Sequence, residues 1–230
     1  MLGSLKEHLE SLKGVGDSNK VVEVANNQQG AAASTEELKK AYKALKGIVE
    51  VAKGQKVKEP IASSVTLKQD SIGVDAKDGA KVLATDAAVG AAVGEKAALI
   101  VSSVRGEEIL AFIVKSTEGD AAGTISENVS GTTSALKFAR GGDKDKLAQD
   151  AALAGTVSGG IALRALVKDG KLATHNDNND HKAVQGAGIT AVNKLLVAVE
   201  EIVKKTVKNV LEKVKQEIDK AREPKAVGQQ

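Results

Sequence analysis

The chain has 230 residues, 33 Lys+Arg against 30 Asp+Glu, no Cys, and only 1% aromatic residues. That length supports a sizeable core, which must be built from Ala, Val, Leu and Ile. Apolar residues at 42% exclude general disorder, and the absence of Cys excludes a disulfide scaffold, thiol catalysis and thiolate zinc sites.

The first predicted element is a helix over 2–13, with Leu5, Leu9 and Leu12 on one face and Gly14 as its stop. This stripe begins almost at once, so the chain reads as starting inside a longer parent. No basic segment followed by an apolar run opens it, which excludes a signal peptide here. Residues 17–33 are polar and read as a surface excursion, partly tucked down by Val21, Val22 and Val24. Ser34-Thr35-Glu36-Glu37 has the pattern of a capping box. Behind it Leu38, Ala41, Leu45, Ile48, Val49 and Ala52 predict a helix to about 53. Residues 55–75 lose that period and read as a loop, with one short hairpin pairing 65–67 with 72–74.

Short helices are predicted over 77–85, 91–104, 107–114 and 134–139. Ala97, Leu99, Ile100 and Val104 form the buried side of the second. A Gly-rich polar loop covers 116–133. Residues 145–167 read as mostly helical, and 174–182 as another polar loop. The last helix runs from about 184 to 222 and ends before Pro224. Its stripe, Leu196, Val199, Val203, Val207, Val210, Val214, Ile218 and Ala221, takes seven steps over 25 residues, close to a straight α-helix. Leu195, Ile202 and Leu211 widen it, so the helix should face several others. At about 1.5 Å per residue it is roughly 55 Å long. The expected fold is all-α: one elongated helical bundle over 1–230, with a long C-terminal helix and extended loops lying away from the chain ends.

The motifs carry little chemistry. His175, Asp177, Asp180 and His181 share one short stretch, but nothing in its spacing fixes a metal geometry. Gly155-Thr156-Val157-Ser158-Gly159-Gly160 lacks the Lys-Ser/Thr of a phosphate loop; small residues at Ala151, Gly155 and Gly159 read instead as one face for close helix packing. Glu36/Glu37, Glu107/Glu108 and Glu200/Glu201 sit at helix starts or on solvated faces. No Gly-x-Ser-x-Gly elbow or triad is present. The reading is therefore no enzyme, no cofactor and no metal. Four Arg among 29 Lys, with no aromatics for base stacking, argue against a nucleic-acid partner. No run of about 18 apolar residues could span a membrane. An alternative reading is an adhesin or host-protein binder using Lys-rich faces such as Lys204, Lys205, Lys208 and Lys215 on the last helix, which would suit acidic partners including glycosaminoglycans.

Several segments resemble a known family. They are Ser11-Leu12-Lys13-Gly14-Val15-Gly16-Asp17, Asp78-Gly79-Ala80-Lys81-Val82-Leu83-Ala84-Thr85, the run from Gly159 to Ala173, and the tail from Thr190 to Gln230. Together they resemble the variable large proteins of relapsing-fever Borrelia. The resemblance implies an outer-membrane surface lipoprotein of antigenic variation, one copy expressed among many silent ones. It implies host antibodies as partners through variable loops, and an outer-membrane anchor through a lipidated Cys. That Cys, the leader before it and the first helical stretch of the family pattern are not among these residues. No catalytic residue comes with the resemblance, and the oligomeric state stays open.

Overall fold

The computed structural model describes residues 1–16 and 22–222; the tuck predicted at Val21 and the end at Pro224 lie outside them. Nine α-helices are found among the described residues, with one two-stranded parallel pair. α1 (Leu2–Lys13) packs antiparallel on α2 (Thr35–Gly54). The His8 ring lies against Gly47, and Gly14 comes near the Lys40 ammonium. β1 (Glu23–Val24) pairs with β2 (Lys171–Leu172), with Glu23 opposite Lys171. The short α3 (Gln69–Ile72) and a 3-10 helix (Lys77–Leu83) lead to α4 (Gly94–Ser102) and α5 (Gly106–Lys115). α6 (Ala135–Arg140), α7 (Lys144–Leu147) and α8 (Ala154–Leu166) follow, and α9 (Asn178–Arg222) closes the described chain.

α8 is the centre. Twelve of its residues, Ala154 to Ala165, are buried, and its glycines let neighbours approach. A Cβ on Gly155 would lie 2.3 Å from the Phe112 ring, and one on Gly160 would lie 2.4 Å from the Phe138 Cβ. The small-residue packing read from this segment is thus present, although Ala151 is exposed and precedes the helix. α9 has 45 residues, about 67 Å at 1.5 Å per residue. Leu195, Ile202 and Val210 are buried along it, against α4, α5, α8 and α2. The Asn209 amide donates to the Gln55 carbonyl at 2.8 Å, so the start of α1 and the C-terminal third of α9 share one end of the bundle.

Gly106 sets the crossing of α5 on α9. A Cβ there would stand 2.0 Å from the Lys194 carbonyl oxygen, backbone that cannot step aside. Gly106→Ala is expected to cost about 2 kcal/mol by overpacking, read as an earlier urea midpoint. Gly3→Ala, with nothing within 4 Å, is expected to match or slightly exceed the parent.

Several expectations change. No strand forms at 65–67 or 72–74. Thr66 bridges to Leu153 instead, and the Leu67 N–H donates to Ala152, because burying Leu67 against the core outweighs a local hairpin. Ser34 is the N-cap of α2, but its side chain makes no cap hydrogen bond, so the capping box is not formed. Leu99 is 43% exposed; α4 is shorter than expected and turns that side outward. The helix expected over 145–167 breaks between α7 and α8. α9 begins six residues earlier than expected, at Asn178. Leu196, Leu211, Val214 and Ile218 lie outside the core, each more than a third exposed. Nor do the loops all gather at the far end: the loop after α2 starts beside Asn209, and that after α5 runs along the flank, where Glu118 pairs with Lys43 at 2.7 Å.

Candidate functional site

The polar segments are held to the frame largely by their backbones. Arg164, in the last turn of α8, is fully buried. Its Nε donates to the Ala139 carbonyl at 2.6 Å, its Nη2 to Leu83 at 3.3 Å and its Nη1 to Lys171 at 3.4 Å. One guanidinium fork therefore ties the end of α6, the end of the 3-10 helix and β2. Burial and the nearby Arg140 push its pKa down to about 9, so it is a cation at neutral pH facing carbonyl dipoles. Arg140 reaches out in turn and donates from Nη1 to the Ala33 carbonyl at 2.7 Å.

The same logic recurs around this end. The Thr174 hydroxyl donates to the Ala25 carbonyl, and the Lys144 ammonium to Ala88 at 3.3 Å. Gly30 N–H donates to Ala84, Ala31 N–H to Lys171 and Ala173 N–H to Val82. Meanwhile Asn26, Asn27, Gln28 and Gln29 are exposed, as are Thr124, Glu127 and Asn128. The outward side chains of these segments are separate from the bonds that fix their backbones.

The expected histidine cluster resolves into helix capping. Asp177, just before α9, accepts the Asn179 N–H at 2.8 Å, the role of an N-cap. Asp180 is buried. Its Oδ1 accepts the Val93 and Gly94 N–H groups at 2.7 and 2.6 Å, and its Oδ2 accepts that of His175 at 2.7 Å. It thereby caps α4 from 87 residues away, a favourable place for an anion. Read as a loop, Asp180 gave no sign of this; the missed signal was Gly94, where a Cβ would meet the Asp180 carbonyl at 2.8 Å. No group of three or more His, Asp or Glu among the described residues is placed to hold a metal.

A groove of about 660 Å³ between α1, α2 and the end of α5 collects His8, Tyr42, Lys46, Glu50 and Thr117. Two pairs of its polar groups are bonded to each other: Lys46 donates to the Tyr42 hydroxyl at 3.0 Å, and Glu118 raises the Lys43 pKa by hydrogen bonding and charge. Among the four candidate lysines, Lys204 pairs with Glu200 at 2.6 Å, Lys205 with Glu201 at 3.8 Å and Lys208 with Glu212 at 3.9 Å. Lys215 is exposed on the same helix. The stretch is a mixed-charge solvated face, not a concentrated cationic patch. No described helix is long and apolar enough to cross a membrane.

Asp78 holds two lysines at once. Its carboxylate takes Lys81 at 2.8 Å and Lys96 at 2.7 Å, joining the 3-10 helix to α4. Those bonds lower its pKa to about 2. A depressed carboxylate stabilises above its unfolded value near 3.9 and loses that effect as pH falls toward 2. Asp78→Asn is expected to cost about 1 kcal/mol at pH 7, after allowance for exposure. The gap from wild type in urea midpoints should close by pH 2.

The family model for Borrelia lipoproteins matches residues 2–218. The chain is 62% identical to variable large protein 25 of Borrelia hermsii over 229 residues, covering 99% of this chain and 62% of that protein. It is 58% identical to variable large protein 18 of the same organism over 230 residues, again covering 62% of that protein. The chain thus spans less than two thirds of the length of these relatives. In three dimensions it is similar to the Lyme disease variable surface antigen VlsE of Borrelia burgdorferi. That match has a TM-score of 0.74 and 26% identity, over 94% of this chain and 80% of that one. The resemblance read from the segments is borne out: the chain belongs to the Borrelia lipoprotein family.

Proposed function

We propose that the protein is a non-enzymatic outer-membrane surface antigen, lipid-anchored in its full-length form, whose polar segments change between variants to escape host antibody. One observation carries the reading: side chains such as Arg140, Lys144 and Asp180 bind loop backbone atoms, at Ala33, Ala88, Val93 and His175. A carbonyl or amide survives almost any substitution of its residue, so loop sequence can change while the attachment stays. Loop closure adds little resistance to change in length, about 0.6 kcal/mol per doubling. The similarity to variable large proteins and to a variable surface antigen supports the same reading.

Antiserum raised against the folded chain tests it. Adsorption with a variant altered only at exposed loop positions, such as 26–29, 124 and 126–128, should leave most of the wild-type reactivity unadsorbed. Removal of nearly all of that reactivity would place the dominant epitopes on the helices and overturn the proposal.

A further inference from the structure

The loop after α2 differs from the other polar segments in how it is held. From Val57 to Val65 the chain makes neither a turn nor a bend. Across the seven residues from Lys58 to Ser64 no backbone N–H or C=O finds a hydrogen-bond partner among the described residues. Only the two banks are fixed. Asn209 holds the Gln55 carbonyl on one side, and on the other the Val65 carbonyl accepts the Ala154 N–H at 2.8 Å. Between them Glu59 pairs with Lys53, an exposed contact that contributes little. The polar segments near 26–29 and 124–128 are instead pinned at Ala25, Gly30, Ile125 and Val129.

The sequence itself straightens the stretch. Pro60 fixes its own φ at about −65° and pushes Glu59 into the extended region. Ile61 is 48% exposed, and Lys58, Glu59 and Ser64 are exposed around it. The Ser63 hydroxyl is buried without a partner among the described residues. Lifting the segment returns that hydroxyl to water, which lowers the cost of release.

We infer that residues 58–64 are a cleavage site for an endopeptidase whose specificity pocket takes a small aliphatic side chain, with the cut between Ile61 and Ala62. An extended substrate binds such an enzyme as a strand added to its edge. Backbone pairing alternates along a strand, so the N–H groups of Ile61 and Glu59 are used, and Pro60 falls where none is needed. Ile61 then enters the pocket before the cut, a small apolar one of the elastase kind. Lys58 suits a pocket for basic residues less well. Lys56, at a φ of 60°, breaks the extended run just before it, and Val57 is buried.

In the reaction the water oxygen joins the Ile61 carbonyl carbon and the C–N bond to Ala62 breaks. The nitrogen takes both protons of the water, leaving a carboxylate and an ammonium. Nothing braces the loop from behind to keep those new ends in register, so the segment is a substrate and not an inhibitor. The two pieces stay together after the cut, because α2 lies on α5 and α9 and β1 pairs with β2.

Limited digestion of the folded 230-residue chain with neutrophil elastase, followed by mass spectrometry, tests this. Wild type should be cut at the Ile61–Ala62 bond, and the pieces on either side of it should elute together from a native column and separately in denaturant. Ile61→Asp should slow loss of that bond by about tenfold or more, with the thermal midpoint unchanged because the side chain is exposed. Ser63→Ala should slow it about fivefold in the folded chain, since cleavage follows the population of the released segment. The same change should have no effect in a free peptide spanning 56–67. An Ile61–Ala62 bond that survives while other bonds are cut overturns the proposal. So does cleavage there only in urea that unfolds the chain, a rate in the folded chain that Ser63→Ala leaves unchanged, or a chain that inhibits the enzyme without being cut.

Discussion

Arg164→Met should cost about 3 kcal/mol, a fall in thermal midpoint of roughly 8 °C for a chain of this size. Methionine fills much of the space but donates nothing, so the buried carbonyls of Ala139 and Leu83 lose their donor. The Lys171 carbonyl keeps the Ala31 N–H at 3.0 Å and suffers less. Removing a buried cation works the other way, because its desolvation cost disappears. The carbonyls should win, since each orphan costs about 1–3 kcal/mol and three chain segments lose their common tie. Arg164→Lys keeps the charge but not the fork, and should recover little of the loss. A methionine variant within about 0.5 kcal/mol of wild type would show that the cation costs as much as its bonds contribute. Equilibrium urea unfolding of the three proteins decides it.

Asp180→Ala should be worse, at about 4 kcal/mol. Three backbone N–H groups, of Val93, Gly94 and His175, lose a charged acceptor in one step, and charge-assisted bonds are stronger than neutral ones. Asp180→Asn should fall between, at about 2 kcal/mol, because one amide oxygen can serve Val93 and Gly94 while the amide nitrogen faces the His175 N–H. Beyond the midpoint, amide exchange in the first turn of α4 should quicken more than in α8 for both variants. Equal quickening throughout the molecule would mean that Asp180 supports the whole bundle and not the α4 junction.

The helices were legible where periodicity is strong. α1 has the bounds read from its leucine stripe and Gly14, and α2 follows its stripe to Gly54. The all-α class follows from the same patterns. What escaped depends on distant partners. Leu67 looked like a strand residue because a short apolar run has no period of its own; its burial is decided by Ala152. Asp180 looked like loop because His, Asn and Asp crowd its neighbourhood, and its role needs an amide pair 87 residues earlier. Arg164 attracted no notice at all, since an isolated Arg in an Ala-rich stretch usually marks a helix surface. Along α9 the stripe was read as one broad buried face. In the structure it divides into a buried line and an exposed one, because the bundle ends near Val210 while the apolar period continues.

For the candidate site, the packing role of the α8 glycines was legible in the sequence. The glycines of α8 pack against Phe112 and Phe138 as close-contact positions. Three of the four candidate lysines pair with glutamates at i±4 spacing, and Lys215 is exposed beside them. The backbone-directed ties were invisible, because a carbonyl partner leaves no mark in the residue alphabet.

The central claim is that frame side chains hold loop backbones, leaving loop side chains free. Its most direct test is the urea midpoint of a chain in which the exposed residues at 26, 28, 29, 124 and 126–128 are all replaced by unrelated polar residues, with Asn27, at a φ of 51°, kept. The expected midpoint corresponds to a loss of less than about 1 kcal/mol, the range of ordinary surface substitutions. A loss as large as that of Arg164→Met would contradict the claim, because those side chains would then be holding the fold.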